Sequence, residues 1–235
     1  MKYPNLSVAM GASSRWDTFD PNQPGRRRLR MTAMDTTSRS GNGVLVLPGG
    51  KPRSEATSRR WHLANQRMAV FAEALRRRLG DDAEVRRVQY RLRGWNDDRL
   101  SALRDAEVEL TRMRRDIPAA RIIVVGHSMG GRVAAHLAAG GGVGGIIALA
   151  PWWPRDDADL VPTGCRMLVM HGTADTWTDP GSSSAQTRRA ALRGVDAQWV
   201  PVPGAGHYMI RRWSHWHRRP AAYIADHFAR TQRDT

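Results

Sequence analysis

A serine between two glycines is the first feature of the chain that could do chemistry. Residues 126–130 read Gly-His-Ser-Met-Gly, directly after the apolar run 122–125 and before a stretch with helical periodicity. In a G-x-S-x-G motif between strand and helix, the glycines leave room for a sharp reversal that strains the backbone of the serine and exposes its hydroxyl. The motif predicts Ser128 as a nucleophile, the alternative being an ordinary turn serine, and it gives His127 a structural role.

A serine nucleophile needs a base, and the base needs a carboxylate that orients it. His171 and Asp175 follow the apolar run 167–170, and His207 follows the run that ends at Val202. Because these residues come directly after predicted strands, as the serine does, we expect them at the same edge of a sheet. Asp175 is the predicted orienting carboxylate and His207 the predicted base.

Other residues compete for both roles. Asp179 stands close to Asp175, but it precedes a proline and suits the start of the following helix equally well. His215 and His217 compete with His207, but they lie in a Trp- and Arg-rich segment with no strand before it. We therefore expect these two histidines in a loop or at the surface.

Apolar periodicity predicts alternating strands and helices from Gly43 onward. The predicted strands span residues 44–47, 85–90, 122–125, 146–150, 167–170 and 197–202. The predicted helices span residues 54–79, 97–115, 129–139, 182–192 and 220–229. Six strands that alternate with helices favour an α/β fold, a three-layer α/β/α sandwich with a mainly parallel sheet of about six strands. In such a sheet, chemistry gathers at the carboxyl ends of the strands.

With these motifs in this order, the region from Gly43 to Thr235 resembles the α/β-hydrolase family, in particular carboxylesterase-like and dienelactone-hydrolase-like serine hydrolases with a minimal lid. The resemblance rests on residues 126–130 as the nucleophile elbow, on residues 171–175 as the acid loop and on Gly206 with His207 as the base loop. Residues 48–51, Pro-Gly-Gly-Lys, match the loop after the first strand. The chain order Ser, Asp, His is also the order of this family.

The resemblance implies that Ser128 attacks an acyl carbonyl, that His207 carries the proton and that Asp175 fixes the imidazole. It also implies an oxyanion hole made by the backbone N–H of Met129 and by one from Gly50 or Lys51. The sequence contains no HExxH and no paired CxxC pattern, so we expect neither a metal nor a cofactor.

Little can be predicted about the substrate beyond a small ester. Members of this family often carry a lid after the fourth strand. Here only the fourteen residues 151–164 lie between the fourth strand and the segment that contains the fifth, so we expect a minimal lid and a shallow or open pocket. Four tryptophans follow strand ends and could wall an acyl or aromatic group, or else cover the edge of the core: Trp95, Trp152, Trp153 and Trp177. Lys51 beside the oxyanion loop suggests a bias toward anionic substrates.

The net charge of +15, with a pI near 11.4, would normally indicate nucleic acid or an anionic membrane as a partner. However, 35 of the 37 basic residues are arginines spread along the chain, without the patterns of RNA-binding sheets or zinc fingers. We expect an arginine-rich surface and no nucleic-acid partner. The chain also has no apolar run long enough to span a membrane and no secretion signal, which indicates a cytoplasmic protein.

The sequence also predicts the boundaries of the folded domain and the state of its one cysteine. Residues 1–42 are rich in proline, arginine, serine and threonine, and we expect a disordered basic tail, with Met34 as a possible later start. The hydrolase domain then spans residues 43–235, with no further pair of strands ahead of it. Cys165 is the only cysteine, so an internal disulfide is excluded and a buried thiol is expected.

Two functions from different classes follow from these features. The first is a serine hydrolase that cleaves a small ester or thioester through an acyl-enzyme. The alternative is a non-catalytic protein of the same fold that binds an anionic partner through its arginines. The complete set of Ser128, Asp175 and His207 favours the first, because a binding module has no need of all three.

Overall fold

The computed structural model describes residues 41–233, so nearly all of the predicted tail, including Met34, lies outside the described residues. Six strands form one sheet in the order β2-β1-β3-β4-β5-β6, and every neighbouring pair is parallel. The strands are β1 (Gly43–Leu47), β2 (Glu84–Arg87), β3 (Ile122–His127), β4 (Gly145–Leu149), β5 (Arg166–Gly172) and β6 (Ala197–Val202). The predicted parallel sheet of about six strands is confirmed.

The central strands are apolar without alternation because helices cover both faces of the sheet. Every residue of β1, β3 and β4 is buried, which is the pattern expected for a parallel sheet between two helical layers. The helices are α1 (Leu63–Leu79), α2 (Ser101–Met113), α3 (Met129–Ala139), α4 (Pro180–Leu192) and α5 (Trp213–Arg233). Helices α2, α3 and α4 pack on one face of the sheet and α1 with α5 on the other, which confirms the three layers.

The first helix begins later than its periodicity predicts, at Leu63 rather than at residue 54. The chain before it pairs with the loop after β2: the Arg93 N–H donates to Ala56 O at 2.9 Å, and the Ser58 N–H donates to Arg91 O at 2.8 Å. These long-range bonds take up backbone groups that a helix would need. Trp61 lies in this segment ahead of the helix and is 66% exposed.

The last helix begins earlier than predicted, at Trp213, and Pro220 lies inside it rather than at its start. A proline usually occupies the first turn of a helix, which is where the predicted helix would place Pro220. Here Trp216 anchors the preceding turn, because its side chain is fully buried and its indole N–H donates to Arg211 O at 3.1 Å. The expectation of loop or surface histidines is thus wrong for His217, which is buried on α5, whereas His215 is exposed.

Candidate active site

The turn between β3 and α3 holds Ser128 in a strained backbone conformation. Ser128 has φ 55° and ψ −118°, and α3 begins at the next residue. A Cβ on Gly126 would lie 2.1 Å from Gly130 O, and one on Gly130 would lie 2.5 Å from Leu47 O. Neither position accepts a side chain, so both glycines are required for the reversal that presents the serine at the end of the central strand.

The structure brings Ser128, His207 and Asp175 together in one hydrogen-bonded chain. Ser128 Oγ lies 3.0 Å from His207 Nε2, and His207 Nδ1 lies 2.8 Å from Asp175 Oδ2. The three residues stand in loops after β3, β6 and β5, and each is less than a tenth exposed. Because a carboxylate only accepts, Nδ1 of His207 is the protonated nitrogen and Nε2 is free to accept the serine proton.

Asp175 is held as a carboxylate by hydrogen bonds from four residues. Its Oδ1 accepts the backbone N–H of Trp177 at 2.8 Å and of Thr178 at 3.1 Å. Its Oδ2 accepts from the Thr178 hydroxyl at 2.9 Å and lies 3.1 Å from His171 Nε2, in addition to its bond with His207. Burial opposes ionisation, but the hydrogen bonds from His171, His207, Thr178 and Trp177 outweigh it and hold the pKa of Asp175 far below its usual value.

Sequence reasoning missed the supporting roles of Thr178 and His171. The Thr178 hydroxyl contacts both Asp175 Oδ2 and, at 3.2 Å, His207 Nδ1. His171 is fully buried, with Nδ1 2.8 Å from Ser183 Oγ on α4. A threonine three residues after a loop aspartate is a signal that could have been read, because such hydroxyls close local turns. Nothing in the sequence around His171 indicates its contact with Ser183 on α4.

His127 fastens the base loop to the serine turn. Its Nε2 lies 2.9 Å from the backbone carbonyl oxygen of His207, and the two rings are in contact at 4.9 Å between centroids. Burial lowers the pKa of His127 to about 3, with the neighbouring His207 adding to the effect. The ring is therefore neutral, and its Nε2–H donates to the backbone carbonyl of His207.

The loop after β1 contacts the start of helix α3 at Gly50. A Cβ on Gly50 would lie 2.4 Å from Met129 Cε and 2.5 Å from Arg93 O, so the two segments are in close contact. The Met129 N–H is at the start of α3, where helical N–H groups have no partner within the helix. The Lys51 N–H donates to Arg93 O at 2.8 Å, so the prediction of Lys51 as an oxyanion donor is wrong and Gly50 is the remaining choice.

This arrangement of sheet, elbow and loops has counterparts among known proteins. A model of the alpha/beta hydrolase family matches residues 44–223. The chain belongs to the α/β hydrolase family. No curated protein matches the sequence significantly.

Solved α/β hydrolase structures are similar in fold and distant in sequence. Est1E from Butyrivibrio proteoclasticus is 14% identical with a TM-score of 0.59, over 83% of this chain and 91% of that one. The esterase LipW from Mycobacterium marinum is 20% identical with a TM-score of 0.60, over 81% and 74%. An acetyl ester-xyloside bifunctional hydrolase from Caldicellulosiruptor lactoaceticus is 14% identical with a TM-score of 0.61, over 80% and 84%. At these identities the likeness concerns the fold.

Trp95 and Trp153 belong to the buried core of this α/β hydrolase, whereas Trp152 and Trp177 are more exposed. Trp95 is 1% exposed beneath the guanidinium of Arg132, 4.4 Å from its ring, so the prediction that it lines the pocket is wrong. Trp152, Trp153 and Trp177 line a cleft of about 250 Å³. Trp177 is 71% exposed and stacks on the His207 ring at 6.0 Å with an interplanar angle of 14°.

The competing residues of this α/β hydrolase stand elsewhere. Asp179 caps α4 by accepting the Gly181 N–H at 2.7 Å. His217 Nδ1 bonds the Trp213 carbonyl within α5 at 2.8 Å. Among the described residues, no cluster of three or more His, Cys, Asp or Glu could hold a metal ion, and no helix between residues 41 and 233 is long and apolar enough to cross a membrane.

Proposed function

We propose that this α/β hydrolase is a serine hydrolase that cleaves small esters or thioesters through an acyl-enzyme. The observation that supports it most strongly is the buried chain from Ser128 to His207 to Asp175, with contacts of 3.0 and 2.8 Å. These distances suit proton transfer from the serine hydroxyl to a histidine in the correct tautomer. The esterase LipW and the acetyl ester-xyloside hydrolase among the structural neighbours agree with this choice of substrate.

In the first half of the proposed reaction, Ser128 Oγ attacks the acyl carbonyl while His207 Nε2 takes its proton. The negative charge that develops on the carbonyl oxygen is stabilised by the N–H groups of Met129 and Gly50. Asp175 stabilises the imidazolium that forms. His207 then returns the proton to the departing alcohol or thiol, which leaves the acyl group on the serine.

In the second half, water takes the place of the alcohol. His207 removes a proton from a water molecule, which attacks the acyl-enzyme, and the same oxyanion contacts are used again. Collapse of the intermediate releases the carboxylic acid, and Ser128 recovers its proton from His207. The reaction consumes one ester and one water and leaves the protein unchanged.

The proposal is tested with p-nitrophenyl esters of graded acyl length. We expect turnover of the short esters and a loss of at least about 10⁴-fold in kcat in Ser128→Ala. A protein that only binds an anionic partner would release no p-nitrophenol above background. Equal rates for the wild type and Ser128→Ala would also reject the proposal.

We further propose that the protein acts in the cytoplasm. Its only cysteine, Cys165, is a buried free thiol, and burial raises its pKa to about 12, so that it is unreactive. A chain without disulfides needs no oxidising compartment. Fractionation of the source cells tests this, and recovery with the periplasmic or secreted proteins would contradict it.

A further inference from the structure

A second cleft opens beside the oxyanion loop, on the side of α1. Its volume is about 420 Å³, and it extends from Gly49 and Gly50 to Trp61 and to Trp177. Trp177 stacks on the ring of His207, so one wall of the cleft reaches the proposed base. A substrate whose carbonyl lies at Ser128 would therefore have part of its length within reach of this cleft.

The charged residues that line this cleft are all basic. Lys51 and Arg93 are lining residues, and no aspartate or glutamate is among them. The guanidinium of Arg59 lies 5.2 Å from the centre of the ring of Trp61, which is another lining residue. Among the described residues, none of these three cations forms an ion pair with a carboxylate.

The positive charges act on the same small region. His62, which also lines the cleft, has a pKa below its ordinary value because of desolvation and then because of the charges of Arg93 and Arg59. Charges of one sign along a concave wall concentrate the potential and attract an ion of opposite sign. The exposed rings of Trp61 and Trp177 add apolar surface to the cleft.

We propose that this cleft selects ester substrates that carry a carboxylate, whose negative charge binds between Lys51 and Arg93 while the reacting carbonyl lies at Ser128. The inference rests on the proposed hydrolase function and defines its substrate class. The carboxylate contributes binding and orientation, and the covalent steps are those described above.

The test compares matched pairs of esters that differ in charge. One pair places the charge on the alcohol side, 4-acetoxybenzoate against 4-acetoxybenzamide. The other places it on the acyl side, monophenyl adipate against phenyl hexanoate. The kcat/KM of each ester is divided by its rate of alkaline hydrolysis, which removes differences in intrinsic reactivity.

For the wild type we expect a preference of about tenfold in normalised kcat/KM for the anionic member of at least one pair, equivalent to about 1.4 kcal/mol. The preference decreases when NaCl is raised from about 20 mM to about 500 mM, because salt screens the attraction. In the double variant Lys51→Gln/Arg93→Gln it falls at least about threefold, since both facing charges are gone.

Arg114→Gln/Arg115→Gln is the matched control, because both arginines are exposed beyond the end of α2, near the amino ends of the strands, and their loss removes the same two positive charges. Equal normalised kcat/KM within both pairs, or an equal loss of preference in the control, would overturn the inference. If the wild type hydrolyses the neutral esters through Ser128 without preference, only this inference fails. If it hydrolyses none of the esters, the proposed function itself fails.

Discussion

Asp175 is the side chain on which the geometry of the site depends most. It accepts hydrogen bonds at both oxygens, from two backbone N–H groups and from the side chains of Thr178 and His207, with His171 within bonding distance. This network fixes the carboxylate in one orientation. It therefore holds His207 in the tautomer that carries its proton on Nδ1. The sequence predicts the position of Asp175 from the strand before it, but the neighbours that hold it come from elements that meet only in the folded chain.

Replacement of this carboxylate tests its role at the residue scale. We expect Asp175→Asn to lower kcat by about 10³-fold to 10⁴-fold, because an amide no longer holds the histidine in the productive tautomer. Asp179→Asn is the matched control, since asparagine also caps a helix well. Steady-state kinetics with p-nitrophenyl acetate decides the point. Similar losses in the two variants would show that the carboxylate has no special role.

At the scale of elements, the close approach of the β1 loop to α3 forms the proposed oxyanion site. In Gly50→Ala, the added methyl would collide with Met129 Cε and Arg93 O at about 2.5 Å. The displaced loop would lose a donor, so we expect kcat to fall by about 10²-fold to 10³-fold.

Gly164→Ala is the control for this change, because a Cβ at Gly164 meets nothing within 4 Å. Its kcat is expected to match that of the wild type. The measurement is kcat for a short p-nitrophenyl ester, together with a circular dichroism spectrum of each variant. Full activity of folded Gly50→Ala would contradict the assignment of this loop.

A buried ion pair joins the nucleophile helix to the segment after β4. Arg132 Nε lies 2.8 Å from Asp157 Oδ1, and the two side chains are 5% and 2% exposed. We expect Arg132→Met to lower the free energy of unfolding by about 3 to 5 kcal/mol, because the buried carboxylate of Asp157 loses its arginine and keeps only contacts of 3.3 Å with His136 Nε2 and the Arg155 N–H.

The matched control for this ion pair is Arg112→Met, which breaks an exposed pair with Glu109. Its expected cost is below about 1 kcal/mol. Urea denaturation of both variants measures the difference. Equal losses would show that the buried pair contributes no more than a surface contact.

The boundaries of the elements show where sequence patterns lose their predictive value. The predicted bounds of α3 and β6 match the observed ones, because local periodicity and the glycine motif determine them. The start of α1 depends instead on pairing between residues 51–58 and the loop after β2. The start of α5 depends on the burial of Trp216 in the core between α1, α5 and the sheet. Neither contact has a local signature, and the burial of Trp95 beneath Arg132 has none either.

At the scale of the whole molecule, buried histidines make the fold sensitive to acid. Burial lowers the pKa of His127 from 6.5 to about 3, and it also lowers the pKa values of His217 and His227. In the unfolded chain these groups take up protons near pH 6.5, whereas in the folded chain they take them up only at lower pH. The unfolded state therefore binds more protons in this interval, and the free energy of unfolding falls as the pH falls.

For each such histidine we expect a loss of about 1.4 kcal/mol per pH unit between its two pKa values. The curve for His127→Asn should therefore be flatter than that of the wild type from about pH 6 to about pH 4. Urea denaturation at a series of pH values provides both curves. Parallel curves would contradict the assignment of His127 as a buried neutral group.

The most direct measurement of the central claim is covalent labelling with a fluorophosphonate probe, followed by mass spectrometry of the labelled peptide. Such probes react with serines that are activated by a base, so the label reports the nucleophile itself and needs no knowledge of the substrate. We expect one label on the folded wild type, on Ser128, and none on Ser128→Ala. No label on the wild type, a label on another residue, or undiminished labelling of Ser128→Ala would contradict the account.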